Sequence, residues 1–531
     1  MRSPKRPIAL AAVIAAVLVA AVAATAATAT HKGAAANDTL VVDKSFDLKT
    51  SDPQRQYEPT GGIVDRGLYD TLLKFQGADV AHPVPSVATK FVASKDARTY
   101  TFTLRKDVHF SDGTPLTSTD VVFSFNRLVN LKGNPSFLLA GITTSAKGKY
   151  TVVMKSKTPN PAIPVLVANT SLGIVNSKVV KANGGSAAAD ADKTDKAEAY
   201  LNSKSAGSGP YILKSYSTTS QVVLTRNPKY WGATKPKFTN VVIRNVNSAA
   251  QLLNIQRGSN EVSLDLSADQ AKGLSSSKLT IQRTPSANVF FLFANSNSKV
   301  SATSSNPHIQ NAIRYALDYN GYVRLAGSGA ARATGVIPSM FLGALKKSAI
   351  SSDLAKAKAE VKASGISNPT LKIEFPSDIT SNGLSFGVLA QKVQSDLQAA
   401  GIKVDLAGSP VATSLNTYRA GTEELGLWYW GPDYPDPNDY LVFLPGQTVG
   451  LRAGWAAGSY PALEKLGVKA GSTADPVARA ALYTTIGNDL NAKSPFYPLL
   501  QPGQVVASSK NLTKTTFNVV YWIDVTAVGS K

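Results

Sequence analysis

The chain has 531 residues, 43% of them hydrophobic and 17% charged, enough for two or more cores, because one hydrophobic core rarely grows past about 250–300 residues. It contains no cysteine, which excludes disulfides, thiolate metal sites, a Cys nucleophile and a lipid-anchoring cysteine near the amino terminus. Its net charge of +21 is dispersed, with no run of five basic residues and no recognition motif, which favours a basic surface facing a polyanionic envelope over a nucleic-acid partner.

At the amino terminus, residues 1–7 (MRSPKRP) are basic, and from Ile8 to Thr30 no charge interrupts a run of mostly Ala, Val, Leu and Ile. Small-x-small sites follow at Ala24-Thr25-Ala26, Ala27-Thr28-Ala29 and Ala34-Ala35-Ala36, so residues 1–36 are expected to be a secretory signal peptide with a short linker. The run also reaches the ~20 residues that a membrane anchor needs, so retention of this segment stays open. Either way the body is exported to the cell envelope or beyond. Without residues 1–36 the chain keeps 52 basic and 35 acidic residues, a net +17.

Residues 99–105 (TYTFTLR) alternate, with Tyr100, Phe102 and Leu104 on one face, the pattern of a half-buried strand. Ser111-Asp112-Gly113-Thr114 is turn chemistry. Thr117 to Asp120 has capping-box form and opens a helix expected to bury Val121, Val122, Phe125 and Leu128. Tyr150–Lys155 is a further strand. Residues 181–206, rich in Ala, Asp, Lys, Ser and Gly, are expected to form a surface helix and loop. Gly207-Ser208-Gly209-Pro210 breaks the chain before a hairpin of Tyr211–Lys214 and Gln221–Arg226.

From about residue 290 the rhythm changes. Asn306-Pro307 reads as an N-cap followed by proline in the first helical turn, with Ile309, Ala312, Ile313, Ala316 and Leu317 on the apolar face. A helix near 353–363 stops at Gly365. Leu371, Ile373 and Phe375 alternate as a strand; Phe386, Leu389, Val393, Leu397 and Ala400 mark a helix ending at Gly401; Ile402, Val404 and Leu406 make the next strand. Strand, helix and strand with short joints predict a βαβ unit and a parallel pair. Leu425–Trp430 (LGLWYW) is another strand.

The stretch YTFTLRKDVHFSDGTPLTSTDVVFSFNRL (100–128) closely resembles the signature region of the peptide/nickel-type solute-binding proteins of ABC importers, family 5. GSGPYIL (207–213), TRNPKYWG (225–232), NPHIQNAIRYALDYN (306–320), the helix near 353–365 and WGPDYPDP (430–437) follow in that family's order. The resemblance implies an α/β fold of the type II periplasmic-binding-protein kind, two lobes with a cleft between them, joined by crossover strands. The first lobe would take 37–80, 207–290 and 501–531, with 81–206 inserted as an extra subdomain, and the second lobe 291–500. It further implies capture of a small solute, a peptide or related organic molecule, for delivery to an ABC permease in the membrane. The chain would act as a monomer, without cofactor or metal. A nickel chelate or an oligosaccharide as ligand, and a membrane-anchored sensor or scaffold built on the same clamp, remain as alternatives.

Trp428-Tyr429-Trp430-Gly431-Pro432-Asp433-Tyr434 is the most informative short stretch. A strand runs into a Gly-Pro break and then an acid, and ligands of open α/β sheets sit beyond the carboxyl ends of strands. Asp433 suits a cationic group, with Trp428, Trp430 and Tyr434 as neighbouring aromatics; alternatively it only caps the loop 432–437. In peptide-binding relatives the resemblance assigns the position of Asp433 to the ligand's ammonium. Trp428 and Trp430 share one strand face and Tyr429 the other, so not all three can line a cleft. Where oligopeptide binders can carry a basic residue six positions earlier, this chain has Leu427, and no arginine closely follows Phe375. Tyr57 and Glu58, ahead of the first long helix, are first-lobe candidates, though a place on the polar exterior explains them equally well. Asn288 and Asn295 flank Val289–Ala294, expected to be a crossover strand, with Asn288 a ligand candidate and Asn295 a hinge.

Catalytic motifs are missing. There is no G-x-S-x-G, H-E-x-x-H or P-loop. Ser275 to Lys278 and Ser296 to Lys299 match S-x-x-K without the accompanying S-D-N or K-T-G. The four histidines, His31, His82, His109 and His308, are scattered. An enzyme is not expected.

Overall fold

A computed structural model describes residues 38–531; the expectations for residues 1–36 lie outside them. Among the described residues no helix is long and apolar enough to cross a membrane.

Two large sheets organise the chain. The first has seven strands, in the order Leu279–Pro285, Gly503–Ser509, Glu261–Ser263, Thr39–Lys44, Asn240–Asn245, Gln221–Arg226 and Tyr211–Ser215. Its middle strand Thr39–Lys44 is parallel to both neighbours, while the expected hairpin forms the edge, with Tyr211 opposite Arg226. The second has six strands, in the order Ala331–Arg332, Phe496–Gln501, Val289–Ala294, Leu425–Trp430, Thr370–Pro376 and Lys403–Ser409. Thr370–Pro376 and Lys403–Ser409 pair in parallel around helix Phe386–Ala399, the βαβ unit that periodicity implied. Gly401 has φ +94, which a glycine takes without steric cost, and ends that helix. A four-stranded sheet, Ala88–Ala93, Thr99–Leu104, Thr151–Ser156 and Ile142–Ala146, occupies the segment between the first strands.

Side-chain alternation sorts the second sheet's cores. Phe290, Leu292, Leu425 and Leu427 join one buried cluster with helices Pro307–Ala316 and Phe386–Ala399. Phe291, Phe293 and Trp428 point the other way, into a cluster continuous with that of the four-stranded sheet. Val289–Ala294 is therefore buried on both faces and sits mid-sheet. It is not itself the crossover. The chain passes between the large sheets just before it, at Ser286–Asn288, and again at Pro502. These two passages bond to each other, Ser286 N–H donating to Pro502 O at 2.8 Å and Gln501 Nε2 to Ser286 O at 2.8 Å.

Two local expectations need correction. In helix Ser118–Asn130 the capping box is present, but Val122 is only half-buried, whereas Phe123 and Arg127 are enclosed. The 181–206 stretch does run in short helices, yet Asp195 turns inward. It meets the fully buried Arg127 at 2.8 Å, and Asp52 meets the same guanidinium at 2.6 Å. A buried guanidinium needs such partners, and composition could not reveal that one of them came from this polar stretch.

Candidate functional site

A cavity of about 1310 Å³ lies between the two large sheets, beside the crossing. Its walls include Tyr57 and Glu58 from the first lobe, Asn288 at the crossing, and Trp428, Trp430, Asp433 and Tyr434 from the second. All the candidates except Asn295 thus border one space.

Strand Leu425–Trp430 delivers the second wall. Trp428 and Trp430 share one face of the strand and Tyr429 packs from the other on Phe290 and Phe386, at ring separations of 5.4 and 6.1 Å, yet all three border the cavity, against the expectation that one face would be excluded, because the cavity wraps around the end of the strand. Gly431 follows. A side chain there would press on Asn288, whose Oδ1 lies 2.7 Å from the position a Cβ would take.

The loop 432–439 carries aspartates at every third position, and each has a different setting. Asp433 opens into the cavity, accepting the Tyr57 hydroxyl on its backbone oxygen at 2.8 Å and more distantly on Oδ1 at 3.5 Å. It has no ion-pair partner among the described residues. The protein crowding it raises its carboxyl above the usual range, and the Tyr57 hydrogen bond opposes that. Asp436 is buried and takes Arg479 on both oxygens, Nη1 at 2.8 Å. Asp439 is buried beneath the loop, where its Oδ2 accepts Trp430 Nε1 and Asp433 N–H, each at 3.1 Å. Burial, and then the charge of Asp433, push Asp439 up to about 7. Asp436 and Asp439 therefore hold the loop that presents Asp433. The spacing of three was visible in the sequence, but the division of roles was not.

On the first wall, Tyr57 stands edge-on to Phe137 at 5.4 Å, which ties the candidate to the inserted segment. Glu58 faces Lys49 at 2.6 Å and is engaged by it. At the crossing, Asn288 Nδ2 donates to Ser381 Oγ at 3.2 Å and Asn382 Oδ1 at 3.1 Å, and Asn382 in turn reaches Gln504 at 3.1 Å. Asn295, expected as a hinge, lies at the opposite end of its strand. It is 0% exposed and clasped to the backbone oxygens of Gly421 and Glu423 at 3.1 and 2.9 Å, a rigid setting far from the passage between sheets.

Several cavity residues escaped the sequence reading. Trp522 holds φ +60, a costly conformation for an aromatic residue, with Lys44 over its ring at 4.4 Å and Phe517 edge-on at 5.8 Å. Its signal was a lone tryptophan near the end of the chain. Tyr418 stacks on Trp428 at 4.5 Å and 22°, and Arg452 lies over the Tyr418 ring at 4.6 Å. Behind them the buried Glu423 accepts Trp428 Nε1 at 2.8 Å, its carboxyl pushed up to about 8 chiefly by burial. Among the described residues no cluster of His, Cys, Asp or Glu suits a metal ion.

Residues 82–450 match the family model described as bacterial extracellular solute-binding proteins, family 5, middle. The chain is 29% identical to the probable D,D-dipeptide-binding periplasmic protein DdpA of Escherichia coli K12, across 91% of this chain and 92% of that one. It is 25% identical to the periplasmic oligopeptide-binding protein OppA of Salmonella typhimurium, across 88% and 87%. Among solved structures, HbpA2 from Haemophilus parasuis superimposes with a TM-score of 0.81 at 20% identity, over 93% of this chain and 100% of that one. The Helicobacter pylori binding protein DppA in complex with the peptide STSA does so with 0.71 at 22% identity, over 93% and 98%.

Proposed function

The chain belongs to the bacterial extracellular solute-binding proteins, family 5, and on that premise we propose that it captures a short peptide between its lobes and hands it to an ABC permease. The observation that carries this reading is the unpaired Asp433 carboxylate, open in a cavity of about 1310 Å³ walled by aromatic rings. A peptide ammonium there forms a charge-assisted hydrogen bond in a cleft poor in water. The dipeptide and oligopeptide binders among its relatives support the choice of ligand. The role is binding without turnover.

The lobe division belongs to the same proposal: 37–80, 207–290 and 501–531 in the first lobe, 81–206 inserted, 291–500 in the second. Sheet membership supports it. The lobes close about Ser286–Asn288 and Pro502, and ligand favours the closed form by binding it better. Residues 1–36 direct export. A mature amino terminus between residues 25 and 37 supports that role, and an intact Met1 or Arg2 start makes the segment an anchor.

The test is native mass spectrometry of the purified protein, together with thermal melts against peptides of two to five residues. A co-purifying peptide, or stabilisation of about 2.7 kcal/mol at a hundredfold excess over Kd, is the expected result. No bound mass and no shift with any peptide ends the peptide reading.

A further inference from the structure

The loop around Asp433 is stiff on both sides of it. Pro432, Pro435 and Pro437 each fix φ at about −65° and supply no N–H. Tyr434 is tied through its backbone oxygen, which accepts the Asp436 N–H at 2.8 Å. Asp433 itself is held at two points. Its N–H donates to Asp439 Oδ2 at 3.1 Å, within the second lobe, and its backbone oxygen accepts the Tyr57 hydroxyl at 2.8 Å, from the first. The second lobe cannot make that last bond for itself.

Tyr57 is in turn fixed by the first lobe and the inserted segment. Its N–H donates to Glu58 Oε2 at 3.2 Å, and Glu58 is fastened to Lys49. Its ring meets Phe137 edge-on at 5.4 Å, on the short helix Asn134–Leu139. The hydroxyl lies 3.5 Å from Asp433 Oδ1, at the limit of hydrogen bonding, so it grips the backbone and leaves the carboxylate available. The contact sits beside the crossing, since a Cβ at Gly431 would be 2.7 Å from Asn288 Oδ1. It therefore joins the lobes where they move least.

We propose that Tyr57 is a positioning residue: reaching across from the first lobe, it fixes the Asp433 backbone so that the carboxylate meets the ammonium of a guest, without binding the guest itself. The proposal rests on the reading that a peptide ammonium meets Asp433. A Tyr57 that touched the guest directly, or merely tied the lobes together, would act alike on guests with and without an ammonium. The titratable groups around Asp433 are Tyr57 from the first lobe and Tyr434, Asp436, Asp439 and Tyr440 from its own side, with Arg479 paired to Asp436. Burial pushes the three tyrosines up, so they keep their protons. Crowding raises the Asp433 carboxyl and the Tyr57 hydroxyl opposes that. Removing the hydroxyl therefore raises it further, and binding that needs the ionised carboxylate fails at a higher pH on the acid side.

Calorimetric titration of the full chain uses trialanine and N-acetyl-trialanine as probes, from about pH 4 to 8. Tyr57→Phe is expected to weaken trialanine about 5–10-fold at neutral pH, to change the acetylated form less than about 2-fold, and to move the acid limb for trialanine to higher pH. In an Asp433→Asn background the same substitution should change trialanine binding less than about 2-fold, because the two groups act as one unit. Phe137→Ala, which frees the Tyr57 ring, should give the same pattern at about 2–5-fold. Ligand-free melts check that the variants fold. Unchanged trialanine binding in Tyr57→Phe, an equal loss for both probes, an unmoved acid limb, or a full loss persisting in Asp433→Asn each overturns the positioning role while leaving the peptide reading intact. Where the acetylated form binds too weakly to measure, the acid limb and the Asp433→Asn background decide. Failure of both probes with the unaltered protein at every pH overturns the peptide reading and the role of Tyr57 with it.

Discussion

The two walls of the cavity treat charge in opposite ways. On the first-lobe side, Glu58 and Asp265 already face lysines, and even the Trp522 ring has Lys44 over it. On the second-lobe side, Asp433, Arg419 and Arg452 are left without ionic partners, while the aspartates just beyond Asp433 are spent on holding its loop. The first wall pairs two of its three acids with lysines and leaves Asp47 with a backbone N–H alone, whereas the second leaves every charge that borders the cavity without an ionic partner. Ligand choice is therefore expected to reside in the strand Leu425–Trp430 and the loops after it.

The strongest way to break this contrast is to remove the support beneath the second wall. Arg479→Ala strands the buried Asp436 charge and should cost about 3–5 kcal/mol in urea unfolding; a loss below about 1 kcal/mol means the loop does not depend on that pair. Next is pH. Asp439 in the folded chain is raised to about 7, against about 3.9 unfolded, so the native state holds its proton more tightly between those values. Its contribution is full below about pH 4 and is lost as pH rises through about 7, a change on the order of 2–4 kcal/mol. Asp439→Asn should flatten that slope in melts taken from pH 4 to 8; an unchanged slope removes Asp439 as its source. Finally, Asp433→Asn should weaken a cationic ligand by about 1.5–3 kcal/mol. Glu58→Gln, which breaks an ion pair with an exposed lysine, should change binding by less than about 1 kcal/mol. Titrations giving both substitutions the same loss would erase the distinction between the walls.

Much of the scaffold was legible because local chemistry agreed with the final packing. Thr117 and Asp120 form their capping box, Asn306 caps the helix that Pro307 opens, and the alternation in Leu425–Trp430 separates Trp428 from Tyr429 as expected. The site was legible only along that one strand and its loop. Arg419, Arg452 and Trp522 carry no local signature, since what gathers them is the meeting of distant segments. The two asparagines show the limit most sharply. They flank the same six-residue strand, and only the neighbouring sheet decides that Asn288 borders the passage between lobes while Asn295 is locked at the far end.

That strand has a mechanical consequence. Val289 pairs with Trp430, next to the crossing, while Ala294 at the other end leads to Asn295 and the Gly421–Arg452 corner. Six residues of strand make a stiff lever of about 20 Å. A 10° swing pivoting at Ser286–Asn288 moves the far corner by roughly 3–4 Å on that arm, yet barely displaces the Asp433 end. Closure about the crossing is therefore expected to shift the Arg452 corner of the cavity far more than the Asp433 end.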